Sequence, residues 1–180
     1  PTREILEKGF NTGYGTINAP KRIETAAELS CILLQSTQND MFGGQSHPDF
    51  DNDMAIFVEP TREEIRKEFK ELGLSDEKIN EVLEKKVRER VHQAMQGVVY
   101  NLNTMNSRAG AQVPFSSINY GMDTSPEGRM AIRNVLLATE AGLGGGETPI
   151  FPIQIFRVKE GINYNNGEPN YDLFKLACRV

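Results

Sequence analysis

Residues 105–121, MNSRAGAQVPFSSINYG, contain the change of pattern that decides the fold. The stretch begins at the end of a long helical pattern, passes through residues 107–110 and continues as an apolar strand. Pro114 has no backbone N–H, which favours the start of a strand or a bulge at that position. The side chains predicted to point inward from the strand are those of Val113, Phe115 and Ile118.

Downstream of this strand, the pattern predicts a helix, a second strand and a second helix. Thr124-Ser125-Pro126-Glu127 has capping-box spacing with proline at the first helical position, and the helix that follows ends at Gly142. Residues 148–158, TPIFPIQIFRV, form an apolar strand that we expect to be covered on both faces. The chain is helical again after Tyr171. This order predicts a parallel strand pair with a right-handed crossover.

Upstream of residue 105, the patterns are mainly helical. The opening residues 7–22 are rich in Gly, Asn and Pro and predict a loop, and a buried helix is predicted from Ile23 to Phe42. Thr61 and Glu64 have capping-box spacing, so we predict that Thr61 begins a helix, which Gly73 ends. Ser75 begins a long helix. Its apolar stripe consists of Val87, Val91, Met95, Val98 and Leu102.

The length of 180 residues predicts one domain, which we divide into a mainly helical region (1–105) and a strand-helix-strand-helix region (106–180). A net charge of −5 without a basic stripe argues against a nucleic-acid partner. No apolar run approaches the roughly 20 residues of a membrane helix. Cys31 and Cys178 lie among apolar residues and are predicted to behave as small hydrophobic side chains in a reducing cytoplasm. We expect the chain to be a partial domain, excised from a longer protein.

No pattern of catalytic or metal-binding residues is present. The glycines of GLGGGE, residues 142–147, follow a helix and precede a strand, the reverse of a dinucleotide fingerprint. The acids of DFDND, residues 49–53, alternate as in a calcium loop, but Met54 and Pro60 occupy the positions of its glycine and its bidentate acid. His47 lies beside these acids without a second imidazole nearby. We predict no catalytic residue and no metal site in this chain.

Three long segments resemble the anaerobic (class III) ribonucleoside-triphosphate reductase family. They are RIETAAELSCILLQSTQNDMFGGQ (22–45), YNLNTMNSRAGAQVPFSSINYGMDTSPEGRMAI (100–132) and ATEAGLGGGETPIFPIQIFRVKEGINYNNGEPNYDLFKLAC (138–178). The resemblance implies an α/β fold, the first part of a ten-stranded α/β barrel of the ribonucleotide reductase/glycyl-radical type, with a helical N-terminal half. It implies a cytoplasmic homodimer that reduces ribonucleoside triphosphates anaerobically to deoxyribonucleoside triphosphates for DNA replication.

The resemblance also implies a glycyl radical, installed by an activating enzyme that uses S-adenosylmethionine and an iron–sulfur cluster, and zinc in the C-terminal region. The radical generates a thiyl on a cysteine, with formate or a thiol system as reductant. We expect the family's first-strand cysteine to lie before residue 1. Its radical cysteine and glycyl site should lie after residue 180. The resemblance assigns no catalytic role to Cys31 or Cys178.

An allosteric site for a deoxynucleoside triphosphate effector is the part of the family's machinery that the resemblance places in this chain. The residues it implies in the first loop are Asn106, Ser107, Arg108, Ala109, Gly110 and Gln112. Those it implies in the second segment are Gln45, Ser46, His47 and Asp51. Arg108 and Gln112 supply hydrogen-bonding groups, and Gly110 allows backbone freedom. The residues alone also allow a plain helix end, at which Arg108 meets the helix dipole.

Two other interpretations stay open. In the first, the chain is a helical interaction module that uses the Val87 to Leu102 stripe as a partner surface. In the second, the chain belongs to a different glycyl-radical enzyme, since glycyl-radical enzymes share the barrel. Flanking sequence and nucleotide binding would distinguish the three.

Overall fold

The computed structural model describes residues 2–38, 40, 41, 43–106 and 112–180. The helices in these ranges are α1 (Thr2–Lys8), α2 (Ile23–Thr37), α3 (Phe50–Ala55), α4 (Val58–Glu71), α5 (Asp76–Thr104), α6 (Pro126–Ala141) and α7 (Tyr171–Arg179). The strands are β1 (Phe10–Asn11), β2 (Thr16–Ile17), β3 (Gln45–His47), β4 (Ser116–Tyr120) and β5 (Ile153–Phe156). The N-terminal half is mainly helical, which confirms the prediction. No helix within these ranges is long and apolar enough to cross a bilayer.

Strands β3, β4 and β5 form a parallel sheet in that order. The predicted parallel pair, β4 and β5 joined through α6, is confirmed. β3 is an addition, because no strand was predicted before residue 105. Since β3 belongs to the region before residue 105, the sheet contains strands from both sides of the predicted division. Ser117 marks the register, pairing with Ser46 of β3 and with Ile153 of β5.

The described residues cover only one face of this sheet. Ile118 and Tyr120 of β4 are buried against the helices, and the prediction for Ile118 is confirmed. On the other face, Ile153 and Ile155 of β5 are 55% and 41% exposed, so the prediction that this strand is covered on both faces is wrong. Phe115 precedes β4 and is 51% exposed, so its predicted inward position is also wrong.

Helix α5 is the central element of the helical layer. Ser75 caps its start, with Oγ accepting a hydrogen bond from the Lys78 N–H at 3.4 Å, as predicted. All five residues of the predicted stripe are at most 1% exposed, because α5 packs against α2, α4 and α6. A stripe that is fully buried within one chain leaves no apolar surface there for a partner. The interaction-module interpretation therefore loses its proposed surface.

Thr61 does not begin a helix, contrary to the prediction. Helix α4 starts three residues earlier, at Val58, and Thr61 is fully buried inside it. Its hydroxyl donates to the Phe57 carbonyl oxygen and accepts from the N–H of Ile23, the first residue of α2, at 3.0 Å. Arg22, which precedes α2, offers no side-chain cap. Thr61 thus caps a different helix from the one that contains it.

Three other boundaries refine the predictions. Helix α2 ends at Thr37 rather than Phe42, and Phe42 lies outside the described residues. The predicted loop of residues 7–22 contains the end of α1 and the antiparallel pair of β1 and β2. Helix α6 has Pro126 at its first position and ends before Gly142 as predicted, but its cap is Ser125, whose Oγ accepts from the Gly128 N–H at 3.0 Å.

Candidate functional site

The two predicted effector segments meet at the last turns of α2. Asn106 is the first residue of the predicted loop, and its carbonyl oxygen accepts a hydrogen bond from Gln35 Nε2 at 2.8 Å. Gln45 begins β3, and its Nε2 donates to the Leu34 carbonyl oxygen at 2.7 Å. The Thr37 hydroxyl also donates to Gln45 Oε1. We call this meeting point of Asn106, Gln45 and residues 34–37 the α2 junction.

Of the predicted loop, the structure describes only the two ends. Asn106 is exposed and Gln112 is half-buried. Ser107, Arg108, Ala109 and Gly110 lie outside the described residues. Beyond Gln112, the chain continues to Phe115, whose carbonyl oxygen accepts from the Gln45 N–H at 2.8 Å. Both ends of the loop segment are therefore connected to the α2 junction.

Ser46 lies on the exposed face of the sheet. Its neighbours in β3 point to the opposite face, because side chains alternate along a strand. Its hydroxyl donates to Asn119 Oδ1 at 3.3 Å, across to β4. This hydroxyl and amide are open to solvent and remain available to a polar ligand.

His47 and Asp51 have structural partners within the core. His47 is 1% exposed, with Nε2 2.8 Å from Asp53 Oδ2 and Nδ1 3.5 Å from Ser30 Oγ. Asp51 is fully buried on α3. Its Oδ2 accepts from three consecutive backbone N–H groups, those of residues 121–123, at 2.8, 2.8 and 2.9 Å. Because both side chains are at most 1% exposed and are bonded within the core, we leave both out of the proposed nucleotide contacts, although His47 is among the residues that line the groove at the α2 junction.

Asp51 belongs to a polar network at the carboxyl end of the sheet that sequence reasoning missed. Asn163 and Asn170 are fully buried, and each donates from Nδ2 to the Gly121 carbonyl oxygen, at 2.9 and 3.2 Å. Arg157, directly after β5, donates to Asp49 Oδ1 at 2.6 Å. The network fixes the turn after β4. The only signal in the sequence was the frequency of Asn and Gly in residues 161–170, which also fits any loop.

Two titratable groups near this network have shifted pKa values. Burial raises the pKa of the Tyr120 hydroxyl, and the negative charge of Asp51 raises it further. Burial tends to raise the pKa of the Asp172 carboxyl, but a hydrogen bond from Arg129 and the charges of Arg129 and Arg133 outweigh it, so that this pKa is lowered. Tyr120 is therefore a neutral phenol at neutral pH, and Asp172 is a carboxylate.

The cysteines are unlike each other. Cys31 is fully buried in the core, where burial raises the pKa of its thiol to about 12. Cys178 is exposed on α7, so the prediction that it behaves as a small hydrophobic side chain among apolar residues is wrong. Within the described part of the chain, no three His, Cys, Asp or Glu side chains are grouped so as to hold a metal ion.

A small groove of about 190 Å³ opens beside the α2 junction. Its apolar wall includes Ile5, Leu33 and Met41, and its polar lining includes Thr37, Gln45 and Ser46. Pockets that enclose a drug-sized ligand measure roughly 300 Å³ or more. The groove can thus receive part of a nucleotide but cannot enclose one.

Comparison with known proteins places these features in a family. The family model described as anaerobic ribonucleoside-triphosphate reductase matches residues 1–180. The anaerobic ribonucleoside-triphosphate reductase of Escherichia coli K12 is 30% identical over 174 residues, covering 96% of this chain and 24% of the relative. That of Enterobacteria phage T4 is 31% identical, with 96% and 28% covered. The chain thus spans about a quarter of the length of these relatives.

Solved structures agree on the fold. The anaerobic ribonucleotide reductase from Thermotoga maritima in complex with dATP and CTP has a TM-score of 0.61 and 18% identity, covering 97% of this chain and 29% of that one. The same enzyme with dATP bound in the specificity site has a TM-score of 0.61 and 17% identity. Because the family model matches this chain over residues 1–180, the chain belongs to the anaerobic ribonucleoside-triphosphate reductase family.

Proposed function

We propose that this chain is the effector-binding part of an enzyme that reduces ribonucleoside triphosphates under anaerobic conditions. In this proposal, a deoxynucleoside triphosphate bound beside the α2 junction sets which base is reduced. The observation that carries it is the convergence of Asn106 and Gln45 on residues 34–37 of α2. Two segments that are 61 residues apart in sequence (106 − 45) thereby form one surface. A Thermotoga maritima relative with dATP in a specificity site supports this assignment.

The described residues that we propose as nucleotide contacts are Asn106, Gln112, Gln45 and Ser46. Their amides and hydroxyl provide both donors and acceptors, which suits recognition of a base or sugar rather than of a triphosphate. Gln45 also has a structural task, since both ends of its side-chain amide contact α2. We propose Ser107, Arg108, Ala109 and Gly110 as the remaining contacts, by resemblance to the family.

A second copy of the chain would complete the site. The groove beside the α2 junction is smaller than a nucleotide requires, which supports a site shared between two subunits. Because the stripe of α5 is buried within one chain, we propose that the subunits meet through other surfaces.

We also propose that the parallel sheet is part of the family's ten-stranded barrel. β3 and β5 are its two edges, each hydrogen-bonded to β4 alone among the described strands. Ile153 and Ile155 leave an apolar face on β5, and an apolar edge strand is unfavourable in water unless something covers it. Further strands and side chains of a closed barrel would provide that cover.

The radical chemistry would take place outside this chain. Cys31 is enclosed by the core and its thiol has a raised pKa, so it suits neither substrate contact nor metal binding. Cys178 is a single exposed thiol without grouped metal ligands among the described residues. The described residues therefore do not fit the family's zinc site. We propose that the glycyl radical, the zinc, the radical cysteine and the contact with the radical-activating enzyme belong to other parts of a cytoplasmic protein.

The test is Arg108→Ala in the full-length enzyme, with Arg66→Ala on the exposed surface of α4 as control. A charge-assisted hydrogen bond is worth about 1.5–3 kcal/mol, so losing it should change effector-dependent rates roughly ten- to hundredfold. Reduction of all four ribonucleotides is measured with each deoxynucleotide, beside a thermal melt. Altered preferences with an intact melt would support the proposal. If neither variant changes the preference among the four ribonucleotides, Arg108 has no part in selectivity. If Arg108→Ala unfolds the protein, the helix-end interpretation is favoured.

A further inference from the structure

Asn103 holds the chain that leads into β5. It lies in the last turn of α5, three residues before Asn106. Its Oδ1 accepts from the N–H groups of Ile150 and Phe151, at 2.9 and 3.1 Å. Its Nδ2 donates to the Phe151 carbonyl oxygen, and also to the Val99 carbonyl oxygen of its own helix at 2.6 Å. The side-chain amide has two donor hydrogens and two acceptor positions, so all four are in use.

Phe115, which follows the predicted loop, contacts Phe151. It lies three residues after Gln112. Its ring meets the ring of Phe151 edge-on, with centroids 5.2 Å apart and planes at 75°. Phe151 is 7% exposed and Phe115 is 51% exposed, so this contact lies at the edge of the packed part of the molecule. We call Asn103, Phe115 and Phe151 the Phe151 clamp.

The clamp connects both stems of the loop segment to one strand. Asn103 is on the stem that enters residues 106–112, and Phe115 is on the stem that leaves them. Phe151 is two residues before Ile153, where β5 begins. The Phe115 carbonyl oxygen also accepts from the Gln45 N–H, so the clamp contacts β3 as well. A displacement of either stem would therefore move Phe151 and the start of β5.

The Asn103 amide fixes the backbone before β5 to the last turn of α5. Residues 150 and 151 precede the paired part of β5, and a side-chain amide bonds their backbone in place of a neighbouring strand. An amide that uses every donor and acceptor tolerates little rotation without losing a bond. The backbone before β5 is thus bonded directly to α5, and a movement of α5 would displace it.

We propose that Asn103 is a positioning residue that couples occupancy of the effector site to the position of β5. The inference rests on the proposed function of the α2 junction. It goes further by naming the route out of that site, through described residues alone. Asn103 acts here through Phe151, and we assign it no contact with nucleotide.

The test uses the full-length reductase and hydrogen–deuterium exchange of residues 150–156, with each of dATP, dGTP, dCTP and dTTP in turn. In the wild-type enzyme, we expect at least one deoxynucleotide to slow exchange in this segment threefold or more. In Asn103→Ala, this response should disappear while the Kd of that nucleotide stays within threefold. Effector-dependent preference among the four ribonucleotides should fall at least tenfold in the same variant. Thr104→Ala is the matched control, because among the described residues the Thr104 hydroxyl bonds within its own helix, to the Tyr100 carbonyl oxygen.

Each outcome decides between the two proposals. A wild-type enzyme that binds none of the four nucleotides contradicts the proposed effector site itself. Binding without any change of exchange at residues 150–156 contradicts the coupling alone, and this measurement needs no variant. Loss of binding in Asn103→Ala would make the residue part of the ligand site, which overturns the positioning role. If that variant does not fold, Asn103→Asp replaces it, and a full nucleotide response in Asn103→Asp would overturn the role of the Nδ2 donor.

Discussion

Replacing Thr61 by valine should destabilise the protein through a helix that does not contain residue 61. Valine nearly matches threonine in shape, so the packing around this fully buried side chain is kept. The Phe57 carbonyl oxygen retains the Thr61 N–H as a donor at 3.3 Å. The N–H of Ile23, however, loses the acceptor 3.0 Å away and is left in a residue with no exposed surface. A buried, unpaired donor costs about 1–3 kcal/mol.

Urea denaturation of the 180-residue chain measures this cost, with Thr104→Val as the control. Thr104 donates to the carbonyl four residues earlier, as Thr61 does, but it is exposed. We expect the control to lose less than about 0.5 kcal/mol. For a domain of this length, a loss of 2 kcal/mol also lowers Tm by about 4–8 °C. Equal losses of unfolding free energy in the two variants would refute the cross-helix cap. So would hydrogen-exchange protection of the Ile23 amide in Thr61→Val that equals its protection in the unmodified protein.

Three further predictions concern the core and its charges. Asp51→Ala should cost at least about 3 kcal/mol in urea denaturation, because three backbone N–H groups lose their acceptor; a loss below 1 kcal/mol would contradict this. Cys178 should react with iodoacetamide in the folded protein while Cys31, buried and with a thiol pKa raised to about 12, reacts only on unfolding; equal rates would be the contrary result. The pKa of Asp172 is lowered in the folded protein, so this carboxylate stabilises the fold above about pH 4, and the stabilisation is lost as pH falls through the folded pKa. Asp172→Asn should therefore flatten the acid side of a plot of unfolding free energy against pH. Parallel plots for the variant and the unmodified protein would contradict the shift.

The features predicted correctly from the sequence depend on residues close together in the chain. Ser75 caps α5 and Pro126 opens α6 through contacts within a few residues. Thr61 has the same local pattern as a cap, but the N–H that it satisfies is 38 residues away. A capping motif indicates that an acceptor is present without indicating which helix uses it.

Strand β3 and the exposed face of β5 could not be predicted for a related reason. Gln45–His47 is short and polar, and it becomes a strand because β4 offers a parallel partner. The run of apolar residues around Ile153 fits a strand buried on both faces, but burial depends on what the rest of the molecule places against it. The interior positions of His47 and Asp51 were likewise invisible, because both residue types are usually exposed or bound to a ligand.

The parallel sheet also constrains the order in which the chain folds. Ser117 contacts Gln45 across 72 residues, and between them lie α3, α4 and α5. Helices form from local contacts, whereas a parallel pair must close a long loop before any of its bonds are made. We expect the three helices to be largely formed before β3 meets β4 during synthesis. Until then, the bond from Ser46 to Asn119 and the bond from the Gln45 N–H to the Phe115 carbonyl oxygen would be missing, so the proposed nucleotide site would be completed late.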